Sequence, residues 1–255
     1  MSNALVKLLG FPATLIHGDT LVWDRWRWLK RRLPKSTWNK KLLDVGCGSG
    51  AFTIGAARRG YHATGLSYDE RNQQVAAERA ELCGAFAADF ETLDVRGMDQ
   101  AEHLMERFDL AICLEVIEHI LDDQKVFHDI HAALKPGGKL LLTAPFHGYK
   151  AIIPSDDGPF CETETGWHVR RGYWEEDLRR LATHAGFEVE EVSYLSGFFS
   201  QKVTGILWRL QNRSKLAAWA SILPLRVLPP LLDQALAQTT GWPGYSIGLV
   251  ARKKA

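Results

Sequence analysis

Residues 42–50 read Leu-Leu-Asp-Val-Gly-Cys-Gly-Ser-Gly, a short apolar run that ends in three alternate glycines. The apolar run suits a buried strand, and a helix is expected to begin near Ala51. Glycine has no Cβ, so Gly46, Gly48 and Gly50 let the chain turn tightly and let its backbone approach a ligand. N–H groups at the start of the following helix favour a negative or carboxylate-bearing group over the turn. The spacing is G-x-G-x-G after an acid, Asp44, and differs from the G-x-G-x-x-G of dinucleotide-binding turns. An acid at that place suits the cationic amino group of an amino acid better than a pyrophosphate.

Strand and helix patterns alternate on either side of this turn. Upstream, Val22, Trp26, Leu29 and Leu33 recur at helical spacing among Arg25, Arg27, Lys30, Arg31 and Arg32, and Pro34 stops that helix. Downstream, strands are expected over 62–66, 85–88, 110–114, 139–144 and 187–194. Helices are expected over 70–83, 101–107, 122–134 and 173–185, the third of them ended by Lys-Pro-Gly-Gly at 135–138. The last apolar run, 245–251, is expected to pair with the strand at 187–194. Alternating β and α segments imply an α/β fold, a parallel sheet with helices on both faces. The expected division is a basic helical extension (1–40), a core (41–196), a helical insertion or lid (197–243) and a final strand and tail (244–255).

The chain has 255 residues, 46% hydrophobic and 24% charged, which suits a globular protein with a substantial core. Cys47, Cys83, Cys113 and Cys161 make no C-x-x-C pair and read as reduced thiols, neither a disulfide framework nor a zinc knuckle. The first residues lack a charged segment followed by a long apolar stretch, and no run reaches the ~20 apolar residues of a spanning helix. A cytoplasmic location is therefore expected. The net charge of +1 hides an asymmetry: residues 42–197 carry 27 acidic and 14 basic side chains, the flanks 3 acidic and 17 basic. Basic flanks either meet an anionic partner or pack against the acidic body.

The turn at 42–50 resembles motif I of class I S-adenosylmethionine-dependent methyltransferases, and the likeness extends over roughly residues 40–195. That resemblance implies a Rossmann-like sheet of seven strands, mostly parallel, with the last strand antiparallel. It places Gly46, Gly48 and Gly50, with Asp44 and Cys47 of the same turn, around the methionine part of S-adenosylmethionine. Asp89 in Ala-Ala-Asp-Phe matches the acid that bonds the adenine amino group, and Phe90 flanks the ring. The family's second strand usually ends in an acid that binds both ribose hydroxyls; here that position is Ser67. A hydroxyl makes one or two such bonds without charge assistance. Cyclopropane-fatty-acid synthases place Thr there with a helper Gln; Asn72 holds the helper position, and Asp69 reaches the site if the turn is shifted.

Residues 108–120, Phe-Asp-Leu-Ala-Ile-Cys-Leu-Glu-Val-Ile-Glu-His-Ile, put Glu115, Glu118 and His119 just beyond the fourth strand, where ligands of open α/β sheets bind. The plain reading is that these residues shape the methyl-transfer cleft, Glu115 beside the cofactor. A sharper one follows from resemblance to O-methyltransferases of ubiquinone biosynthesis and of small-RNA 3′ ends, which use E-x-x-E-H and a later histidine. Glu115, Glu118, His119 and His168 would then hold magnesium, manganese or zinc, with His147 in reserve. Without a metal, His119 or His168 serves as general base, and Glu118, His119 and His168 are the catalytic candidates.

The expected reaction is methyl transfer by in-line displacement to an oxygen of a small or amphiphilic, lipid- or glycan-linked, acceptor. Trp23, Trp26, Trp28 and Trp38 mingle with basic residues, and 198–236 mixes Phe198, Trp208, Trp219 and Arg226 with prolines at 224, 229 and 230. Such segments suit either peripheral contact with an anionic membrane surface or a lid packed on the sheet. No RNA-binding module is legible, so a nucleic-acid partner ranks behind. A binding module that holds the cofactor without turnover keeps the same motifs.

Overall fold

The computed structural model describes residues 3–16, 20–211, 215–222, 225 and 229–255. Two short helices, α1 (Ala4–Leu9) and α2 (Phe11–Ile16), precede α3 (Val22–Arg32). The run at 42–50 then forms the end of β1 (Lys40–Val45) and the turn into α4 (Ala51–Ala57). Leu42, Leu43, Asp44 and Val45 are all buried, with no alternation. That is the mark of a strand covered by helices on both faces.

Chain order continues through β2 (Tyr61–Ser67), α5 (Glu70–Leu82), β3 (Ala88–Thr92), β4 (Phe108–Leu114), α6 (Asp123–Ala133), β5 (Leu134–Pro145), α7 (Glu175–His184) and β6 (Phe187–Leu195). The insertion supplies α8 (Phe198–Gln211), α9 (Lys215–Ile222) and α10 (Pro229–Thr240), and β7 (Ser246–Lys253) closes the sheet. The seven strands lie in the order β3-β2-β1-β4-β5-β7-β6. β1 runs parallel to both β2 and β4, while β7 inserts antiparallel between β5 and β6. The expected pairing of the last strand with residues 187–194 is present, from Phe187 opposite Lys253 to Leu195 opposite Ser246. The chain moves one way from β1 to β3 and the other way from β4, so a crevice opens beyond the carboxyl ends of β1 and β4.

Alternate strand residues feed two cores. Leu43, Ala111, Leu140 and Leu142 pack with Phe127 and Ile130 of α6 and Leu178 of α7. Leu42, Ile112 and Leu141 face the other way, against Leu29 of α3 and Ile54 of α4. This is the two-residue period of a pleated strand. Trp26 and Trp28 of α3 belong to the second core and are buried, whereas Trp38 stays 55% exposed. A Cβ on Gly55 or Gly248 would stand 2.5 or 2.7 Å from those two indoles, so both glycines give α3 its seat.

Three predicted elements differ. The strand expected at 85–88 begins only at Ala88, because 83–87 is used to end α5: Gly84 is left-handed (φ 62°) and the Ala85 N–H returns to the Ala80 carbonyl. The helix expected at 101–107 is replaced by two 3-10 turns, Val95–Gln100 and Glu102–Leu104. β5 begins at Leu134, so the Lys-Pro-Gly-Gly run lies in its irregular first part, where the register with β4 shifts.

Within the insertion, Val203 and Leu207 of α8 meet Ala218 and Ile222 of α9. Asp233 of α10 accepts from the Phe199 and Ser200 N–H groups at the start of α8, at 2.6 and 3.1 Å. Prolines at 229 and 230 open α10, where first-turn positions tolerate them. Pro224, Arg226 and the Trp219 side chain lie outside the described residues. Among the described residues, no helix is long and apolar enough to cross a membrane.

Candidate active site

Beyond the carboxyl ends of β1, β2 and β4 lies a cavity of about 440 Å³. The glycine turn forms part of its wall. Gly46 has φ 78°, and a Cβ there would stand 2.6 Å from Val116, itself a wall residue. Gly48 also lines the wall, with nothing within 4 Å of where its Cβ would be. A ligand can therefore lie directly on the backbone of this turn.

Of the residues read from the sequence, Ser67, Asn72, Glu115 and His119 stand in the wall with Gly46 and Gly48. Ser67 is buried at the end of β2, and its Oγ accepts from the Asp69 N–H at 3.3 Å. Asp69 is committed elsewhere: its carboxylate caps α5 through the Arg71 and Asn72 N–H groups. Asp44 lies under the turn, 1% exposed, and accepts from Thr53 Oγ1 at 2.6 Å. Cys47 is buried with its Sγ 3.5 Å from Gln73 Oε1, and burial pushes the thiol up. Gly50 is left-handed at φ 79°, and a Cβ there would stand 2.7 Å from Ala76 and 2.8 Å from Phe90.

Asp89 and Phe90, read from the sequence beside the adenine, do not line this cavity. Both fall inside β3, opposite Thr64 and Gly65, so Asp89 is exposed early in the strand and Phe90 packs under Gly50. With the strand displaced, Asp94 and Val95 take the place beside the cavity. Asp94 caps the following 3-10 turn through the Arg96 N–H at 3.0 Å and pairs with the Arg96 guanidinium, which holds its carboxyl below the usual range. A correctly placed strand end would have found Asp94. Tyr68, Glu164 and Gly166, also in the wall, carried no signal beyond proximity in sequence to Ser67 and His168.

Glu115 follows β4 in a left-handed conformation (φ 57°), its N–H bonded to the Thr143 carbonyl. Its carboxylate accepts from Arg25 of α3 at 3.1 Å and from Thr143 Oγ1 at 2.8 Å. Glu118 is 1% exposed, and its Oε2 has no partner. Burial, reinforced by the neighbouring Glu115 charge, raises it well above the usual carboxylate range. His119 presents a partnerless Nδ1, and its ring stands edge-on to His168 at 4.7 Å. Burial holds both imidazoles toward the neutral form, His168 down to about 4 with help from His119 and Arg25.

The loop carrying His168 is fastened beside this group. The Val169 N–H bonds the Glu118 carbonyl at 2.9 Å, and the Cys161 N–H bonds the His168 carbonyl at 3.0 Å. One ligand atom each from Glu118, His119 and His168 lies within 4.8 Å of the others. Glu115, expected in this set, is outside it, and its carboxylate is held by Arg25 and Thr143. His147 is outside as well; its ring lies 4.8 Å from Trp174.

Residues 22–192 match a family model described as a methyltransferase domain. The ubiquinone biosynthesis O-methyltransferase of Pseudomonas aeruginosa (strain UCBPP-PA14) is 33% identical over 129 residues, which cover 51% of this chain and 53% of that protein. The alignment thus spans about half the length of that curated relative. Among solved structures, phosphoethanolamine N-methyltransferase 2 of Haemonchus contortus, in complex with S-adenosyl-L-methionine, aligns at TM-score 0.65 and 20% identity over 96% of this chain and 57% of that one. The cyclase SpnF aligns at TM-score 0.62 and 23% identity over 91% and 82%. At such identities the structures speak for the fold. With a family match over two thirds of its length, on this sheet and this glycine turn, the chain belongs to the methyltransferase domain family, of the class I, S-adenosylmethionine-dependent kind.

Proposed function

We propose that the protein transfers the methyl group of S-adenosylmethionine to an oxygen of a small or amphiphilic acceptor. The observation that carries this reading is the convergence of Glu118, His119 and His168 at the cofactor cavity, with His119 in its wall. The O-methyltransferase named above supports an oxygen acceptor. The cavity suits the cofactor: glycine backbone is bare at Gly48, and Ser67 and Asn72 offer hydrogen-bonding side chains in place of a ribose-binding acid. S-adenosylmethionine supplies an already activated methyl group, so the chain's task is to align the acceptor and take its proton. A neutral His119, its side chain 33% exposed in the cavity wall, can accept that proton.

The same three residues also suit a divalent ion. Glu118 Oε2 and His119 Nδ1 are buried without partners, and one oxygen with two imidazole nitrogens is a donor set for zinc, whereas magnesium would draw most of its ligands from water or acceptor oxygens. Atoms bound at about 2.1 Å stand at most about 4.2 Å apart. The 4.8 Å spread must therefore contract slightly to grip an ion. When bound, the ion would lower the pKa of an acceptor hydroxyl.

The test is release of S-adenosylhomocysteine with alkylated phenols, alcohols and amines, with and without chelator. Turnover on hydroxyl acceptors is expected, reduced about 10²–10⁴-fold in His119→Ala while cofactor affinity persists. Loss on chelation, restored by magnesium or zinc, would select the metal; indifference to chelator would select the base. Cofactor binding without turnover, or methylation of amines alone, would overturn the proposal.

A further inference from the structure

A second cavity, of about 690 Å³, shares no wall residue with the cofactor cavity. Helix α3 serves both. Its Arg25 reaches Glu115 in the cofactor wall, while residues 24, 27, 28 and 31, at i, i+3, i+4 and i+7, line the second cavity. Tyr194 of β6 and Trp242, in the segment leading into β7, line it as well.

Charge in this cavity is uneven. Arg32 is matched by Glu191 and lies 4.4 Å over the Trp28 ring, and Asp233 is engaged at the start of α8. Arg27 and Arg31 hold no ion pair among the described residues. Ammonium groups of Lys150 and Lys202 stand 3.8 and 5.0 Å from the Trp242 ring centre, adding positive charge at the border. Asp24 is buried at the edge of this cavity beside Ser196 and Ser200, and the Arg27 charge acts on its carboxylate. The wall thus contains four aromatic rings, of Trp28, Phe146, Tyr194 and Trp242, and two guanidinium groups outside any ion pair among the described residues, at Arg27 and Arg31.

We infer that this cavity binds a phosphate-bearing amphiphile, with Arg27 and Arg31 on the phosphate and Trp28, Tyr194 and Trp242 around the apolar body. Two guanidinium forks match the charge and oxygen geometry of a phosphate monoester. That this occupant is the methyl acceptor rests on the function proposed above; the binding site itself does not.

The experiment is titration of the intact chain with octyl phosphate, read by tryptophan emission and calorimetry, beside Arg27→Gln/Arg31→Gln. Saturable binding is expected, at least tenfold weaker in the double variant, with cofactor affinity unchanged as the check on folding. Octyl glucoside binding equally well would overturn the assignment of charge, and inorganic phosphate binding as tightly as octyl phosphate would overturn the assignment of an amphiphile. Binding to phosphatidylglycerol vesicles without binding to octyl phosphate would replace the cavity with a membrane-facing surface. Octyl phosphate binding together with no turnover on any phosphorylated hydroxyl acceptor would keep the site and remove its role in acceptor choice.

Discussion

Asp44 ends against the hydroxyl of Thr53, 2.6 Å away, under the glycine turn. The carboxylate there has lost its water and gained one neutral side-chain donor, so burial lifts its titration from 3.8 to about 7. In the unfolded chain the same group titrates near 4. Between those values the folded chain holds a proton that the unfolded chain has released. The stability contributed by this group is therefore complete below pH 4 and is lost as the pH rises through 7. Three pH units correspond to roughly 4 kcal/mol. Asp44→Asn keeps an oxygen for Thr53 and removes the titration, so its stability relative to the parent should rise from pH 4 to 8. Denaturant unfolding across that range checks this; parallel curves for the two proteins would mean that Asp44 does not change its proton affinity on folding.

At the scale of elements, α3 joins the core to both cavities through side chains that face different ways. Its Arg25 and Glu115 form a pair only 9% and 12% exposed. Removing one member of a buried pair strands the other charge, at a cost of about 3–5 kcal/mol. Arg25→Leu should therefore be destabilised by that much, and Arg25→Leu/Glu115→Gln should regain at least half of it. A double-mutant cycle with additive losses would show that the two side chains do not act as a pair. The existence of α3 was legible from its periodicity and Pro34, and the sheet from the regular alternation of apolar runs with helical ones. Which aromatic residues α3 buries was not, because Trp26 and Trp28 find their seats on Gly55 and Gly248, far away in sequence. β3 slipped for a local reason: Ala-rich 85–88 suits a strand by pattern, but Gly84 turns the chain back to close α5 first. That slip bears on the adenine-side reading: Asp89 and Phe90 lie within β3, while Asp94 stands in the cavity wall. Glu118, His119 and His168 were legible as candidates because the Glu-x-x-Glu-His spacing fixes two of them. The pairing of Glu115 with Arg25, ninety residues earlier, is shown by no local pattern.

Across the whole molecule, several basic side chains of the flanks end on acids of the body: Arg25 on Glu115, Arg32 on Glu191, Arg252 on Glu190 and Lys253 on Glu106. The charge asymmetry of the sequence is thus partly met within the fold. The cofactor cavity is likewise assembled from distant parts, with walls from the turn after β1, the end of β2, the segments after β3 and β4 and the loop near Gly166. A ligand that bridges them stabilises only the folded chain, by about 2.7 kcal/mol at a hundred times its Kd. For a chain of this size each kcal/mol moves Tm by about 2–4 °C, so S-adenosylmethionine should raise Tm by roughly 5–10 °C. Gly46→Ala places a methyl against Val116 in the cavity wall and should lose most of that rise. Gly137→Ala has the same left-handed backbone, φ 76°, but open space around the added methyl. It should lower the baseline Tm by the strain alone and keep the full ligand-dependent rise. A rise lost in both variants would trace the effect to strain, and a rise kept in both would place the cofactor away from the glycine turn.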